Sequence, residues 1–158
     1  MPETTNTLGQ ILSGEESFSD IVGLTQQQLL AIAALGFNLY QEGQMDDART
    51  LFAGLTAVSP KLHYGHAGLG AIALVEGKYP EAVEHLTQAA RLEPGDASVQ
   101  ANLGEALLRN GDAPSAGEHL GKALSLDPDG RDDGANRARA LLQGLAALDG
   151  HLSELATA

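Results

Sequence analysis

The 158 residues include no cysteine and no tryptophan, aromatic side chains make up only 4%, and 9 basic residues face 21 acidic ones. The missing cysteines exclude disulfides, thiolate zinc sites and thiol nucleophiles together, and they fit a reducing cytoplasm. With so few aromatics, and with the 43% hydrophobic content drawn mostly from Ala and Leu, any core must be built from thin elements that approach closely. The shortage of basic residues leaves a net charge of -12, which repels phosphate backbones and anionic lipid, so neither nucleic acid nor a membrane is expected as a partner. No apolar run approaches the roughly 18 residues that a membrane span requires. The opening stretch MPETTNTLGQ has neither a basic n-region nor an apolar h-region and reads as no signal peptide. The balance is that of one compact, acidic, all-α domain.

What the chain does have is a period. Pro60, Pro94 and Pro128 recur every 34 residues, and so do Gly36, Gly70 and Gly104, then Gly43, Gly77 and Gly111, then Ala48, Ala82 and Ala116. Leu35, Leu69 and Leu103 precede the first glycine column, and Phe52, Leu86 and Leu120 fill a large apolar position further on. In each unit Leu-Gly falls mid-helix, where glycine costs about 1 kcal/mol against Ala and therefore implies close packing of a second helix. Gly43, Gly77 and Gly111 suit left-handed helix ends, and Pro80 and Pro114 suit the first turn of the next helix. Ala48, Ala82 and Ala116 are read as the small residues of that second helix facing the glycine of the first. Pro60, Pro94 and Pro128 end it, Asp96 is an N-cap candidate, and Thr25 to Gln28 reads as a capping box. Each unit is a helical hairpin, and the pattern resembles the tetratricopeptide repeat in three copies, at 29–62, 63–96 and 97–130.

Flanking segments complete the layout. Residues 1–28 form an N-terminal arm, in which Leu8, Ile11 and Leu12, then Phe18, Ile21 and Val22, follow amphipathic helical spacing. Residues 131–158 form a C-terminal helix with a seam of Leu141, Leu145, Leu148, Leu152 and Leu155. Solenoid ends expose apolar faces, so both flanks are expected to cap the stack, with a homodimer through the arm as the alternative use.

The repeat resemblance implies a curved solenoid whose first helices line a groove through the second, fifth, ninth, twelfth and thirteenth residues of each unit. Those are Leu30, Ala33, Phe37, Tyr40 and Gln41 in the first, Tyr64, Ala67, Ala71, Leu74 and Val75 in the second, and Ser98, Ala101, Glu105, Leu108 and Arg109 in the third. The lining is apolar with alanine floors and favours an extended apolar peptide, each leucine-type anchor contributing on the order of 1.5 to 3 kcal/mol. Repeat modules that clamp acidic C-terminal tails need Lys, Arg and Asn where this chain has Ala33, Phe37, Ser98 and Ala101, so that mode is rejected. Phe37, Tyr40 and Tyr64 divide evenly between groove and core on periodicity alone.

The stretch from Ala31 to Val83 resembles the class II chaperones of type III secretion, through Gly36-Phe37-Asn38-Leu39-Tyr40-Gln41-Glu42-Gly43 with Ala48, Gly68-Leu69-Gly70-Ala71, and Gly77, Tyr79 and Ala82. That resemblance covers roughly residues 26 to 126. It implies a cytoplasmic chaperone that holds a segment of a hydrophobic translocator in its groove, with Phe37, Tyr40, Tyr64, Ala67 and Leu74 contacting it. Met45, Ala33 and Ser59-Pro60 depart from the family pattern, and the third repeat is nearer the general consensus, which keeps a generic tetratricopeptide adaptor as the alternative. Catalysis is not expected. His63 and His66 lack a third ligand, His85 and His119 read as solvent-side positions, and Asp127 to Ala138 lacks the glutamate that would close a calcium loop. Gly68-Leu69-Gly70 follows no strand, and no nucleophile, base and orienter recur together, so neither cofactor, metal nor enzyme activity is implied.

Overall fold

The computed structural model describes residues 23–156, and they form seven α-helices and no strand. These are α1 (Gln26–Gln41), α2 (Met45–Val58), α3 (His63–Val75), α4 (Tyr79–Leu92), α5 (Ala97–Arg109), α6 (Ala113–Leu126) and α7 (Asp133–Ala156). The apolar spacings between Leu8 and Val22 lie outside the described residues. So do the side chains of Leu148, Leu152 and Leu155.

Local chemistry sets the helix boundaries. At the start of α1 the Gln28 N–H donates to Thr25 Oγ1 at 3.2 Å, while the Thr25 N–H donates to Gln28 Oε1 at 2.8 Å, the reciprocal pair of a capping box. The Asp96 carboxylate caps α5 by accepting from the Val99 N–H at 2.9 Å, and Asp112 caps α6 through Ser115 N–H at 3.2 Å. Each first helix ends the same way. Gly43, Gly77 and Gly111 take φ of 78°, 74° and 92°. Their N–H groups bond to Tyr40, Leu74 and Leu108 carbonyls, and the following N–H groups reach back to Leu39, Ala73 and Leu107. This is a Schellman motif in triplicate, and it turns the chain into the second helix. Pro80 and Pro114 stand in the first turns of α4 and α6.

Phe52, Leu86 and Leu120 are fully buried and fill the notches left by the mid-helix glycines. A Cβ on Gly36 would lie 2.8 Å from the Phe52 ring, one on Gly70 2.5 Å from Leu86 Cγ, and one on Gly104 2.6 Å from Leu120 Cγ. The expected partners, Ala48, Ala82 and Ala116, are buried as well, but the large residue one turn further on is what enters the notch, because only a long side chain spans the gap between helix axes. Each core cluster then joins one hairpin to the next helix. Leu29, Ala33, Ala48, Phe52 and Leu55 meet Leu69 and Ile72 of α3. Ala73, Ala82 and Leu86 meet Leu103 and Ala106 of α5. Ala101, Leu120 and Ala123 meet Ala138 of α7. Stability is therefore passed from neighbour to neighbour, as in a solenoid.

Leu35 departs from its column. Leu69 and Leu103 are buried against the preceding hairpin, whereas Leu35, on the first hairpin, has no preceding hairpin among the described residues and is 52% exposed. At the other end α7 packs on α5 and α6. It does so first through Ala135 and Ala138, both fully buried, and then through half-buried Leu141 and Leu142. The contact thus begins a turn and a half earlier than the leucine seam and uses small residues, which let the helix axes approach closely.

Candidate peptide-binding groove

Three cavities run along the first helices and share walls. The first, about 250 Å³, is lined by Leu30, Ala33, Ala34, Phe37 and Tyr64. The second, about 440 Å³, includes Phe37, Tyr40, Gln41, Ala71, Ser98, Asn102 and Arg137. The third, about 360 Å³, keeps Tyr40, Ala71, Asn102 and Arg137 and adds Leu74, Val75, Tyr79, Glu105 and Arg109. Phe37 joins the first to the second, and Tyr40 and Ala71 join the second to the third. The result is one trough, apolar near α1 and charged near α5 and α7.

The helix period decides which side chains reach it. Phe37 and Tyr40 are one turn apart on α1, and the Phe37 ring meets Phe52 edge-on at 4.9 Å and Tyr64 at 6.4 Å. Phe37 is thus half core and half groove wall, and its packing on Phe52 fixes the direction in which its free edge faces. Leu30 is 39% exposed beside it and offers bare apolar surface. Ala33 and Ala71 are buried at 3% and 7% but still line cavities, as floors that a larger residue would fill. Leu74, Glu105 and Arg109 line the third cavity.

Ala67, Ala101 and Leu108 line none of these cavities. Ala67 packs with Ala89 and Val99, and Ala101 packs with Leu120, Ala123 and Ala138, because the next helix of the stack covers the fifth position of the second and third repeats. Leu108 is half-buried. Asn102, Tyr79 and Arg137 line the groove although the repeat positions did not point to them. Arg137 comes from α7, beyond the third repeat, where the leucine spacing and the failed calcium-loop pattern gave no sign of a groove residue.

The charged end is knit by one carboxylate. Glu105 Oε2 lies 3.1 Å from Arg137 Nε, and its Oε1 lies 3.6 Å from Arg109 Nη2. A second Arg137 nitrogen donates to Asn102 Oδ1. Nearby, Asp132 accepts from Ser98 Oγ at 2.9 Å and from the Ala135 N–H at 2.8 Å, while Asp127 accepts from the Asp132 N–H at 2.8 Å. Two carboxylates of the acidic turn that echoes a calcium loop, Asp127 and Asp132, are thus engaged at the start of α7, while Asp129 pairs with Arg131 at 3.2 Å.

The histidines correct an expectation, since His85 and His119 face inward between helices. His85 Nδ1 lies 3.1 Å from His66 Nδ1, and His119 Nδ1 lies 2.8 Å from Gln100 Oε1. Burial, then the charge of His85, lowers the pKa of His66, and burial first lowers that of His119. Both pairs close the space between the two helices of a hairpin, a slot that Ile32 and Leu51 occupy in the first hairpin. His63 Nε2 stands 3.3 Å from Asp96 Oδ2. Among the described residues no three His, Cys, Asp or Glu side chains converge as a metal would require.

A tetratricopeptide-repeat family model matches residues 73–142. No curated protein matches the chain in sequence. Among solved structures, a type III secretion complex from Aeromonas hydrophila is 20% identical with a TM-score of 0.76, covering 92% of this chain and 98% of that one. PcrH in complex with the chaperone-binding region of PopD is 29% identical with a TM-score of 0.68, covering 80% of this chain and 97% of that one. PcrH from Pseudomonas aeruginosa is 28% identical with a TM-score of 0.66, covering 78% and 95%. The chain is accordingly all-α, matches the tetratricopeptide-repeat family over residues 73–142, and resembles the type III secretion translocator chaperones.

Proposed function

We propose that this protein is a stoichiometric chaperone of type III secretion, which holds an extended, leucine-bearing segment of a hydrophobic translocator in its groove and keeps that client soluble in the cytoplasm until secretion. The observation that carries the reading is the trough itself. Its apolar half, with Leu30, Phe37 and Tyr64 around alanine floors, offers sites for anchors of an unfolded peptide and no group that would transform one. PcrH, whose fold this chain shares, has been solved with the chaperone-binding regions of PopD and of PopB. No helix among the described residues is long and apolar enough to cross a membrane, which suits a carrier of membrane-active clients that is not itself embedded. In this reading residues 29–130 are the binding unit, residues 131–158 cap it, and the arm over 1–28 caps the other end or joins two copies.

Co-expression with a translocator encoded beside it is expected to keep that client soluble and to co-purify the pair. Leu30→Glu, at an exposed position, should abolish co-purification while leaving helicity unchanged. A client equally soluble with and without the chaperone would refute the reading. Persistence of the complex in Leu30→Glu and in Tyr40→Glu would place binding elsewhere.

A further inference from the structure

The third cavity carries two guanidinium groups, Arg109 and Arg137, against the one carboxylate of Glu105, while Asp132, Asp133 and Arg131 line the adjoining second cavity. Among the described residues Glu105 is the one carboxylate in contact with both Arg109 and Arg137, so the three side chains carry a net single positive charge. Glu105 is sunk, its side chain 15% exposed, whereas Arg109 and Arg137 are 54% and 48% exposed. A guanidinium has five N–H donors. Arg137 directs Nε to Glu105 and one further nitrogen to Asn102, and Arg109 directs Nη2 to Glu105. The remaining donors border a cavity of about 360 Å³ whose other wall is Tyr40, Leu74 and Tyr79. In a chain of net charge -12, this cavity keeps one positive charge in excess on the concave face, with Asp132 and Asp133 beside it in the second cavity.

Glu105 also prepares the site. A carboxylate behind two arginines holds both forks in place, so less side-chain freedom is lost when a second carboxylate arrives in front. We infer that Asn102, Glu105, Arg109 and Arg137 form a carboxylate-receiving subsite, which takes an Asp or Glu side chain of the bound segment at the end of the groove away from its apolar anchors. The inference rests on the groove reading and sharpens it: the ligand is an extended segment with leucine-type residues toward one end and an acidic residue toward the other. It differs from the clamp for acidic tails rejected on sequence, because its cations come from α5 and α7 together and serve one side chain of an otherwise apolar peptide.

The test uses the full-length protein and synthetic extended peptides, acetylated and amidated, carrying two leucines and a single Glu moved through successive positions, each paired with a Gln twin. At one register the Glu peptide is expected to bind about five-fold tighter than its Gln twin at low salt, with the preference shrinking as salt rises. Arg109→Gln should bring the affinity of the Glu peptide down to that of its Gln twin measured on the same variant, and Arg137→Gln should act likewise; circular dichroism checks that each variant is folded. Equal binding of Glu and Gln peptides at every register would overturn the subsite while leaving the groove reading intact. A preference that survives both substitutions would overturn the assignment to these arginines. Failure of every peptide to bind would overturn the groove reading and the subsite with it. A Gln twin with a free C-terminal carboxylate that matches the Glu peptide would overturn the assignment to a side chain.

Discussion

Phe52 is held between two glycines, one on the helix before it and one on the helix after. A Cβ added to Gly36 would stand 2.8 Å from Phe52 Cε1, at the far edge of the ring, whereas a Cβ added to Gly68 would overlap Cγ, Cδ2 and Cε2. Ordinary carbon contacts lie at about 3.5–4.0 Å, so the ring would have to retreat by roughly 1 Å in a site that is fully buried. Gly68→Ala therefore sets a gain of about 1 kcal/mol in helix propensity against an overpacking cost of about 2–3 kcal/mol, a net loss of about 1–2 kcal/mol. Phe52→Leu alone should cost about 1–2 kcal/mol for the volume removed. The combination is where the reasoning is exposed. With leucine at position 52, as at Leu86 and Leu120, the space beside Gly68 opens and alanine keeps its propensity advantage. The equivalent of Gly68 one repeat later is Asn102, which carries a Cβ where the preceding hairpin has leucine. The double variant should thus be about 1 kcal/mol more stable than Phe52→Leu, giving a coupling of about 2–3 kcal/mol. Urea unfolding followed by the helical circular dichroism signal measures all four corners of the cycle. Additive effects, or a stabilising Gly68→Ala in the parent, would show that the glycine is not there to admit the ring.

Gly121, in α6, has nothing within 4 Å of its Cβ position, so Gly121→Ala should stabilise by about 0.5–1 kcal/mol in the same assay. Gly77→Ala, at φ 74°, should instead cost about 1 kcal/mol although space is free there, because alanine resists the left-handed helix end. Since the folded pKa of His66 and of His119 lies below the unfolded value near 6.5, the unfolded chain binds more protons in that window, so stability falls as pH drops below about 6.5 and the melting temperature follows it. His66→Gln copies the Gln100 to His119 contact of the next hairpin and removes the charge of a second imidazole beside His85, so it should flatten part of that pH dependence. Light scattering of the chain with residues 1–22 removed tests the arm as a dimer contact: an unchanged mass would refute it.

Much of the fold was readable because the period repeats in chemistry that acts locally. A left-handed glycine, a first-turn proline and a capping carboxylate each act within a few residues, so Gly43, Pro80, Thr25 and Asp96 behave as their spacing implies. What misled was packing between elements. Ala67 and Ala101 hold groove positions in repeat register but lie under the next helix, and Leu35 follows its column in sequence while facing the open end of the stack. His85 and His119 read as surface residues because histidine is polar, and only the facing helix supplies the His66 and Gln100 partners that make an inward position affordable. Arg137 was hidden for another reason: nothing in a 34-residue register says that the helix following the third repeat also closes the groove.

The repeats also separate structure from recognition within a single chain. Columns that the fold requires hardly vary, as in Gly36, Gly70 and Gly104, or Ala48, Ala82 and Ala116, because each copy must admit the same neighbour. Columns that face the trough vary freely: Phe37, Ala71 and Glu105 share one position, and Gln41, Val75 and Arg109 share another. Read from α1 to α5, the first column passes from aromatic to small to charged and the second also ends in a charge, while the hairpins beneath them keep the same packing plan. If the lining merely completed the core, identical hairpins would call for similar residues, as they do in the glycine and alanine columns. A graded surface on a uniform scaffold instead matches a ligand whose two ends differ in polarity, and it is the gradient, more than any single side chain, that gives the groove a direction in which an extended segment can lie.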